Sequence, residues 1–519
     1  MQHNGGSIIG EVLARHGVRA LFTLCGGHIS PILVGAKEQG IRVVDVRDEA
    51  NAVFAADAVA RMTGTVGIAA VTAGPGVTNT LTAVKNAQMA QSPLLLLGGA
   101  AATVLKGRGS LQDIDQLSML RPITKWAATV KTVKSIGPTV EKALEIARSG
   151  VPGPVFLEFP VDLLYHEDLV REWYLTESGV KKAETVGAKA LKAYLEAHLY
   201  RQFHAPHIDL GFPRPELRMP GQSAEKRLAK VADLLRKAKR PALVIGSQAL
   251  VNTPDPEQVA NAVRSLGIPT WLGGMARGLL GRHSDLQFRH KRTNALKKAD
   301  LVIVCGFPFD FRLGYGRSIG SKATLVAANL SADELKMNRK PQVPLQMHPG
   351  QFLQKLAHLT GPVGPWEHWF SECREREAER DAEIEGQAIA PASEGLVNPV
   401  DFFQRLESKM SEDAVLVVDG GDFVATASYI VRPRAPLSWL DPGVFGTLGV
   451  GGGFAAGASL VNPGKEIWLI YGDGSSAYSL AEFDTYVRHG FAPIAVIGTD
   501  GAWAQIAREQ TAVLGDDVG

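Results

Sequence analysis

The chain has 519 residues, of which 45% are hydrophobic and 21% are charged, and this length is enough for several substantial cores. Its 55 Lys and Arg residues against 53 Asp and Glu leave a formal net charge of only +2, which provides no strong field for nucleic acid or an anionic membrane. We therefore expect small charged ligands.

The start of the chain and its cysteines show no targeting or metal-binding pattern. The opening MQHNGGSIIGEVLARHG lacks the basic and apolar segments of a signal peptide, and no later run reaches the roughly 18 apolar residues of a membrane helix. Cys25, Cys305 and Cys373 are scattered and form no CxxC. The sequence predicts a cytoplasmic protein with reduced, structural thiols.

The first domain, 1–170, is predicted to alternate strands and helices. Apolar runs at 21–24, 41–46, 67–72, 94–97 and 155–158 predict strands. These runs alternate little with polar residues, as expected for a parallel sheet that is buried on both faces.

Glu49 follows the second of these strands and begins the Ala-rich segment ANAVFAADAVARMTG, which we predict to be a buried helix. A carboxylate at a helix start can merely interact with the unsatisfied amides there, a contribution of about 0.3–1 kcal/mol. It is also a candidate for catalysis.

Three more features of this domain are candidates. The third strand runs into Gly74-Pro75-Gly76 and a helix that contains Asn79, although Gly-Pro-Gly alone is usually a tight turn. Gly26-Gly27-His28 follows the first strand, and its histidine is either structural or an acid or base. Gln112, a neutral donor and acceptor, is suited to orient a substrate oxygen.

A second α/β domain is predicted between two linkers. Charged helical stretches and the Pro-rich HAPHIDLGFPRPELRMPGQ mark the first linker, 171–223, and a charged helix followed by AIAPASEG marks the second, 366–395. Strands at 240–246, 268–271, 299–304 and 323–326 predict a Rossmann-like sheet in 224–365. No GxGxxG follows Ile245, so the sequence leaves a nucleotide there undecided.

The last domain, 396–519, carries two acids at predicted strand ends. A strand at 466–470 runs into Gly472-Asp473-Gly474, and a strand at 494–497 ends at Thr499-Asp500-Gly501. The intervening segment is predicted to be one helix with the apolar positions Ala477, Leu480, Phe483 and Val487. Since parallel strands joined by one crossover share an edge, we expect Asp473 and Asp500 to meet. Two carboxylates beside helix-start amides suit Mg²⁺ holding a diphosphate, whereas Gly-Asp-Gly alone is most often an ordinary turn.

Together these motifs resemble the thiamine diphosphate-dependent enzymes of the acetolactate synthase family. The resemblance rests on RDEANAVFAADAVARMTG, on the block from Thr72 to Asn79, and on the Gly-Asp-Gly followed at nearly fixed spacing by a second metal ligand. That second ligand is usually Asn in the family, whereas this chain has Asp500, which keeps the oxygen but adds a charge. It covers all three domains and implies an α/β fold with pyrimidine-binding, central Rossmann-like and diphosphate-binding domains. The last domain is expected to be incomplete, because the chain stops at Gly519 soon after the metal loop.

The resemblance also implies roles for particular residues. Glu49 would hydrogen-bond the aminopyrimidine of the cofactor and share a proton with it, which favours removal of the thiazolium proton. The pyrimidine pocket and the surroundings of the reactive carbon would comprise Gly26, Gly27, His28, Pro75, Gly76, Asn79 and Gln112.

Mg²⁺ would be bound by Asp473, by Asp500 with Thr499 as the weaker candidate, and by the carbonyl of Ala502. The diphosphate would contact Gly421, Asp422, Phe423, Gly472, Gly474 and Ser475, and Leu448 would prop the bent cofactor. Asp422 would act through its backbone, because phosphate repels its carboxylate.

Within the family, the resemblance favours a 2-hydroxyacyl-CoA lyase. GGMARGLLGRHS resembles the central domain of these lyases, where related synthases hold FAD, so FAD or ADP is possible there. Acetolactate synthases carry a Trp beyond the metal loop for the second keto acid, whereas this chain has Ala507-Arg508-Glu509-Gln510.

A lyase of this kind splits a 2-hydroxyacyl thioester into an aldehyde and a formyl thioester, or joins them in reverse. The alternatives are an acetolactate synthase that condenses 2-keto acids and an inactive, cofactor-binding regulatory subunit. A homodimer or homotetramer is expected, because the family builds its site from two subunits.

Overall fold

The computed structural model describes residues 4–204, 222–392, 395–516 and 518, so most of the Pro-rich part of the first predicted linker lies outside the described residues. Two compact units are distinguished. The first contains the N-terminal sheet together with 452–460 and 479–491, and the second contains the central and C-terminal sheets. In the part of the chain that is described, no helix is both long and apolar enough to cross a membrane.

The N-terminal sheet has six parallel strands in the order β2-β1-β3-β4-β6-β5. Its strands are β1 (Ala20–Leu24), β2 (Arg42–Asp45), β3 (Gly67–Val71), β4 (Leu94–Ala100), β5 (Trp126–Thr129) and β6 (Pro154–Pro160). All five predicted strands are present. The sequence missed β5, an edge strand whose four residues are only half-buried.

Helices precede, connect and follow the strands of this domain. They are α1 (Gly5–Arg15), α2 (Ser30–Glu38), α3 (Glu49–Thr63), α4 (Pro75–Thr78), α5 (Leu81–Met89), α6 (Gln116–Leu120), α7 (Ile136–Arg148), α8 (Glu167–Glu177) and α9 (Val186–His204). Short 3₁₀ helices occur at Gly27–Ile29, Arg121–Ile123, Val133–Ser135 and Val161–Leu163. Helices α8 and α9 share a small core that lies mostly in the first predicted linker and consists of Val170, Tyr174, Val180, Leu195 and Leu199.

Local sequence explains why α3 begins and ends where it does. The Asp48 side chain accepts a hydrogen bond from Ala50 N at 2.7 Å, which caps the helix start, and Gly64 ends the helix at φ 68°. Most residues of α3 are buried, so the predicted buried helix is confirmed.

The central sheet is also parallel, in the order β11-β10-β9-β7-β8. Its strands are β7 (Pro241–Ile245), β8 (Thr270–Leu272), β9 (Leu301–Cys305), β10 (Thr324–Asn329) and β11 (Val343–Gln346). Its helices are α10 (Gln222–Lys237), α11 (Pro256–Leu266), α12 (Arg292–Lys298), α13 (Pro349–Thr360) and α14 (Glu367–Ala388), with 3₁₀ turns at Ser247–Ala249, Gly274–Gly278, Phe311–Gly316 and Glu334–Lys336. The sequence missed β11, an edge strand interrupted by Pro344.

Helix α14 differs from the solvated linker helix that its charges predicted. Trp369 and Cys373 are buried in the core of the central domain, and the Trp369 indole donates to Pro241 O at 2.8 Å. The first turns of α14 therefore stabilise the central domain, and the domain boundaries as a whole stay predictions.

The C-terminal sheet has the order β13-β12-β14-β15. Its strands are β12 (Val415–Val418), β13 (Trp439–Leu440), β14 (Ile467–Gly472) and β15 (Ile494–Gly498). The helices of this part of the chain are α15 (Pro399–Glu407), α16 (Asp422–Ile430), α17 (Val450–Val461), α18 (Asp473–Ser476), α19 (Glu482–His489) and α20 (Ala504–Leu514), with a 3₁₀ turn at Gly443–Phe445. Most of α17 and all of α19 belong to the first compact unit. The predicted fold class, parallel α/β sheets in succession, is confirmed.

One helix of this region was predicted wrongly. The segment after the Gly-Asp-Gly forms the two short helices α18 and α19, and Leu480 and Val487 are 55% and 82% exposed. The buried face of α19 carries Glu482, Thr485 and Tyr486 instead. These polar groups are satisfied, since Glu482 accepts from Arg47 N at 3.0 Å and the Tyr486 hydroxyl donates to Gly452 O at 2.8 Å.

Candidate active site

The N-terminal sheet reverses its strand order between β1 and β3, and open α/β sheets bind ligands at the carboxyl ends of such strands. Gly26-Gly27-His28 follows β1, and Thr72 follows β3. His28 Nδ1 lies 3.3 Å from Thr72 Oγ1, and a Cβ on Gly26 would lie 2.4 Å from the Thr72 Cβ. Burial lowers the pKa of the His28 imidazole, so His28 is neutral at pH 7 and able to accept a proton.

Glu49 is the first residue of α3 and is only 7% exposed. Its Oε2 accepts a hydrogen bond from Asn79 Nδ2 at 3.0 Å, and its Oε1 lies 3.5 Å from where a Gly76 Cβ would be. The structure thus brings together Glu49, Gly76 and Asn79, which the sequence placed in one pocket.

The Gly74-Pro75-Gly76 turn has a conformation that requires glycine. Gly74 adopts φ 63° and ψ −113°, and a Cβ on it would lie 2.9 Å from the Gln112 Cβ. Gln112, half-buried and itself at φ 63°, therefore packs against the turn. Gly74 N donates to Gln116 Oε1 at 2.9 Å, a contact that the sequence did not indicate.

The C-terminal sheet reverses its strand order between β12 and β14, and both strands end in glycine-rich loops. Gly421 has φ 114°, and no atom lies within 4 Å of a Cβ built on it. It precedes the nine-residue helix α16, so the residue before this helix start carries no side chain that could cover it. The Asp422 carboxylate forms an ion pair with Arg508, and a role of Asp422 through its backbone stays a prediction.

The acids at the ends of β14 and β15 meet, as expected from the sequence. The register pairs Gly472 with Gly498, so the next residues of both strands lie side by side. Asp473 Oδ2 accepts from Gly501 N at 2.9 Å and from Asp500 N at 3.3 Å, while Asp500 Oδ1 accepts from Ala502 N at 3.1 Å. Among the described residues no group of three or more His, Cys, Asp or Glu could hold a metal, so a candidate Mg²⁺ site here rests on two carboxylates and a carbonyl.

Two apolar side chains lie against the glycines of these loops. A Cβ on Gly420 would lie 2.4 Å from the Leu448 Cδ2, and a Cβ on Gly474 would lie 2.5 Å from Cζ3 of Trp503. The sequence had singled out Leu448 but assigned no role to Trp503, since its approach to Gly474 depends on the fold. Ser475 is buried, and its hydroxyl donates to Gly472 O at 3.2 Å.

Phe423 packs away from the open space at Gly421. Its ring lies against Gly498, where a Cβ would be 2.4 Å from the Phe423 Cγ, and its centroid is 4.6 Å from that of Phe403. The ring therefore joins α16 to the core of the C-terminal domain.

The sequence also did not reveal the role of Asp419. It is 2% exposed and accepts hydrogen bonds from the amides of Gly420, Gly449 and Gly451 at 2.7–2.9 Å. Burial raises the pKa of its carboxyl to about 6, although the three amides favour the ionised form. Asp419 thus ties the end of β12 to the start of α17.

The second unit also contains a cavity of about 720 Å³ at the reversal point of the central sheet. Its lining is rich in cations, namely Arg277, Arg289, Lys291, Arg292 and Arg312, and it extends to Gly420 and Gly421. Arg277 lies over the Trp439 ring at 4.7 Å, and its buried Nε has no hydrogen-bond partner among the described residues. The lining suits a phosphate-bearing ligand, and FAD or ADP there stays a prediction.

Comparisons with known families identify three consecutive matches. The chain matches "Thiamine pyrophosphate enzyme, N-terminal TPP binding domain" over 3–119, the central domain of the same enzymes over 228–356, and their C-terminal TPP binding domain over 419–518. The expected truncation of the last domain is not confirmed, because the match to that domain extends to residue 518.

Curated relatives resemble the chain over almost its whole length. It is 48% identical over 520 residues to 2-hydroxyacyl-CoA lyase 2 of Danio rerio, and the match covers 99% of this chain and 83% of the relative. It is 47% identical over 524 residues to 2-hydroxyacyl-CoA lyase 2 of Homo sapiens, and this match covers 99% of the chain and 81% of the relative. A probable acetolactate synthase of Mycobacterium bovis is 33% identical over 522 residues, with 99% and 86% covered.

Proposed function

Because the chain belongs to the family of thiamine pyrophosphate-dependent enzymes, we propose that it cleaves a 2-hydroxyacyl-CoA into an aldehyde and formyl-CoA, or joins these two products. The observation that carries this proposal is the 48% identity, over 99% of the chain, to a 2-hydroxyacyl-CoA lyase. Identity to the acetolactate synthase is lower, at 33%. The segment 507–510 also lacks the Trp that such synthases use for a second keto acid.

The pyrimidine side of the proposed site activates the cofactor. Thiamine diphosphate, when bound, supplies an acidic thiazolium carbon that adds reversibly to a carbonyl. Glu49 would share a proton with the aminopyrimidine nitrogen, and Asn79 orients the Glu49 carboxylate through their 3.0 Å hydrogen bond. The neutral His28 accepts the proton of the substrate's 2-hydroxyl group, and Gln112 orients the thioester oxygen.

The diphosphate side of the proposed site holds the cofactor. Asp473, Asp500 and the Ala502 carbonyl would bind Mg²⁺, and the start of α16 next to Gly421 would contact the diphosphate through its amides. The donor set supports this assignment, since two carboxylates and a carbonyl are hard oxygen ligands.

The proposal is tested by assaying the purified protein, with thiamine diphosphate and Mg²⁺, on a 2-hydroxyacyl-CoA and separately on pyruvate. We expect formyl-CoA and an aldehyde from the first substrate and little acetolactate from the second. Turnover of pyruvate alone would make the protein a synthase. Binding of the cofactor without turnover of either substrate would make it a regulatory subunit.

One narrower prediction rests on the resemblance only. The resemblance to the family supports a homodimer or homotetramer, in which two subunits complete each site.

A further inference from the structure

Gln116 joins the Gly74 turn to a buried carboxylate. It begins α6 and is 1% exposed. Its Oε1 accepts from Gly74 N at 2.9 Å, and its Nε2 donates to Glu158 Oε1 at 2.9 Å and to Gly99 O at 3.1 Å. Every polar atom of the Gln116 side chain is therefore engaged.

Glu158 fixes the orientation of this amide. It lies on β6, is 1% exposed, and accepts further hydrogen bonds from Lys106 Nζ at 2.8 Å and Thr129 Oγ1 at 2.6 Å. Glu158 Oε1 and Gly99 O are acceptors, so the NH₂ of Gln116 must face them and its oxygen must face Gly74. A carboxylate at position 116 would meet two acceptors, and an aliphatic side chain would leave Gly74 N without its partner.

The helical turn that follows Gly74 carries the two residues that contact Glu49. Asn79 N donates to Pro75 O at 2.9 Å, so Asn79 belongs to the helical turn that follows Gly74. Asn79 then contacts one carboxylate oxygen of Glu49, and Gly76 faces the other. A shift of Gly74 would move both neighbours of Glu49.

We propose that Gln116 is a positioning residue for cofactor activation: it holds the Gly74 turn so that Asn79 and Gly76 keep the Glu49 carboxylate in place. Gln116 has no contact with cofactor or substrate in this scheme. The inference rests on the role of Glu49 in the proposed function.

The first test compares Gln116→Leu with wild type, each saturated with thiamine diphosphate and Mg²⁺. Exchange of the thiazolium proton, followed by NMR, is expected to slow at least about tenfold. Cofactor affinity, measured by calorimetry, is expected to stay within about threefold, because metal and diphosphate dominate binding.

Gln248→Leu in the central domain is the matched control. Gln248 is 4% exposed, accepts from Leu330 N at 2.7 Å and donates to Asn329 Oδ1 at 3.0 Å, so it makes the same kinds of contact away from the turn. We expect Gln248→Leu to lower the melting temperature comparably and to leave proton exchange unchanged. Equal slowing in both variants would overturn the inference.

A charge swap keeps the test decisive if Gln116→Leu does not fold. Gln116→Glu places two carboxylates face to face, so exchange should be slow at pH 8. Combining Gln116→Glu with Glu158→Gln restores the donor between positions 116 and 158, although Gly99 O still faces an acceptor, so exchange at pH 8 should recover in part. Loss of stability without any change in exchange would contradict the inference.

Comparison with Glu49→Gln distinguishes a failure of the Glu49 role from a failure of the Gln116 role. If Glu49→Gln exchanges as fast as wild type, the role of Glu49 in the proposed function fails, and the role of Gln116 fails with it. If Glu49→Gln is slow while folded Gln116→Leu is normal, only the role of Gln116 fails.

Discussion

At the scale of single residues, the proposed chemistry depends most directly on Glu49. Its carboxylate is buried at a helix start and is hydrogen-bonded to the neutral amide of Asn79. A carboxylate that merely stabilised the helix start would gain as much at the surface, without the cost of desolvation. Its burial beside Gly76 is better explained by a partner that the cofactor supplies.

We predict that Glu49→Gln binds thiamine diphosphate but barely activates it. The amide keeps a hydrogen bond yet cannot share a proton, so thiazolium proton exchange should slow by orders of magnitude, each tenfold corresponding to roughly 1.4 kcal/mol of barrier. NMR exchange on saturated enzyme measures this rate separately from affinity.

Asp162→Asn is a suitable control for that experiment. Asp162 is also buried, at 1% exposure, and accepts from Thr103 N at 3.1 Å rather than from Asn79. Its variant should exchange at the wild-type rate. Equal rates in wild type and Glu49→Gln would return Glu49 to a purely structural role.

At the scale of helices and strands, each candidate site lies where a sheet reverses its strand order. The pairs are β1 and β3, β7 and β9, and β12 and β14. At such a point the connections that follow two neighbouring strands run in opposite directions, which leaves a crevice between the loops at the carboxyl ends of the strands. This rule accounts for His28 beside Thr72, for the arginine-lined cavity and for the Gly421 loop.

We predict that cofactor binding requires both a divalent metal and Asp473, the acid at the end of β14. Asp473→Ala, or chelation of the metal in wild type, should weaken thiamine diphosphate binding at least about tenfold, because the diphosphate loses its bridging cation. Calorimetric titration with and without Mg²⁺ measures the loss.

Asp413→Ala provides the control, since Asp413 is an exposed acid just before the amino end of β12 in the same sheet. It should bind the cofactor like wild type. If Asp473→Ala kept wild-type affinity when the metal was chelated, the Mg²⁺ assignment would be wrong.

At the scale of the whole molecule, the resemblance to the family places Glu49 of one subunit and the diphosphate domain of another around one cofactor. A lone subunit would then have no complete site. We predict a dimer at all concentrations where turnover is full, as measured by light scattering alongside activity.

Subunit mixing makes the same prediction sharper. An equal mixture of inactive Glu49→Gln and inactive Asp473→Ala, refolded or exchanged together, should regain about a quarter of wild-type activity, because half the dimers are mixed and each has one intact site. No recovery in a mixture shown to contain mixed dimers would contradict a shared site.

The sequence by itself determined the features that depend on local patterns. Apolar runs located the buried strands, Asp48 and Gly64 set the ends of α3, and Gly-Asp-Gly with Asp500 located two adjoining strand ends. Such signals are legible because hydrophobic periodicity, capping and glycine-only turns act over a few residues.

Only the tertiary structure decided which polar residues support the site and which faces are buried. Gln116 meets Gly74 across 42 positions, and Asp419 meets Gly451 across 32, so no local pattern marks either contact. The periodicity of 474–487 pointed to Val487 as buried, yet long-range hydrogen bonds of Glu482 and Tyr486 turned α19 the other way. Burial of a polar group depends on the partner that the fold brings to it, and that partner can lie anywhere in the chain.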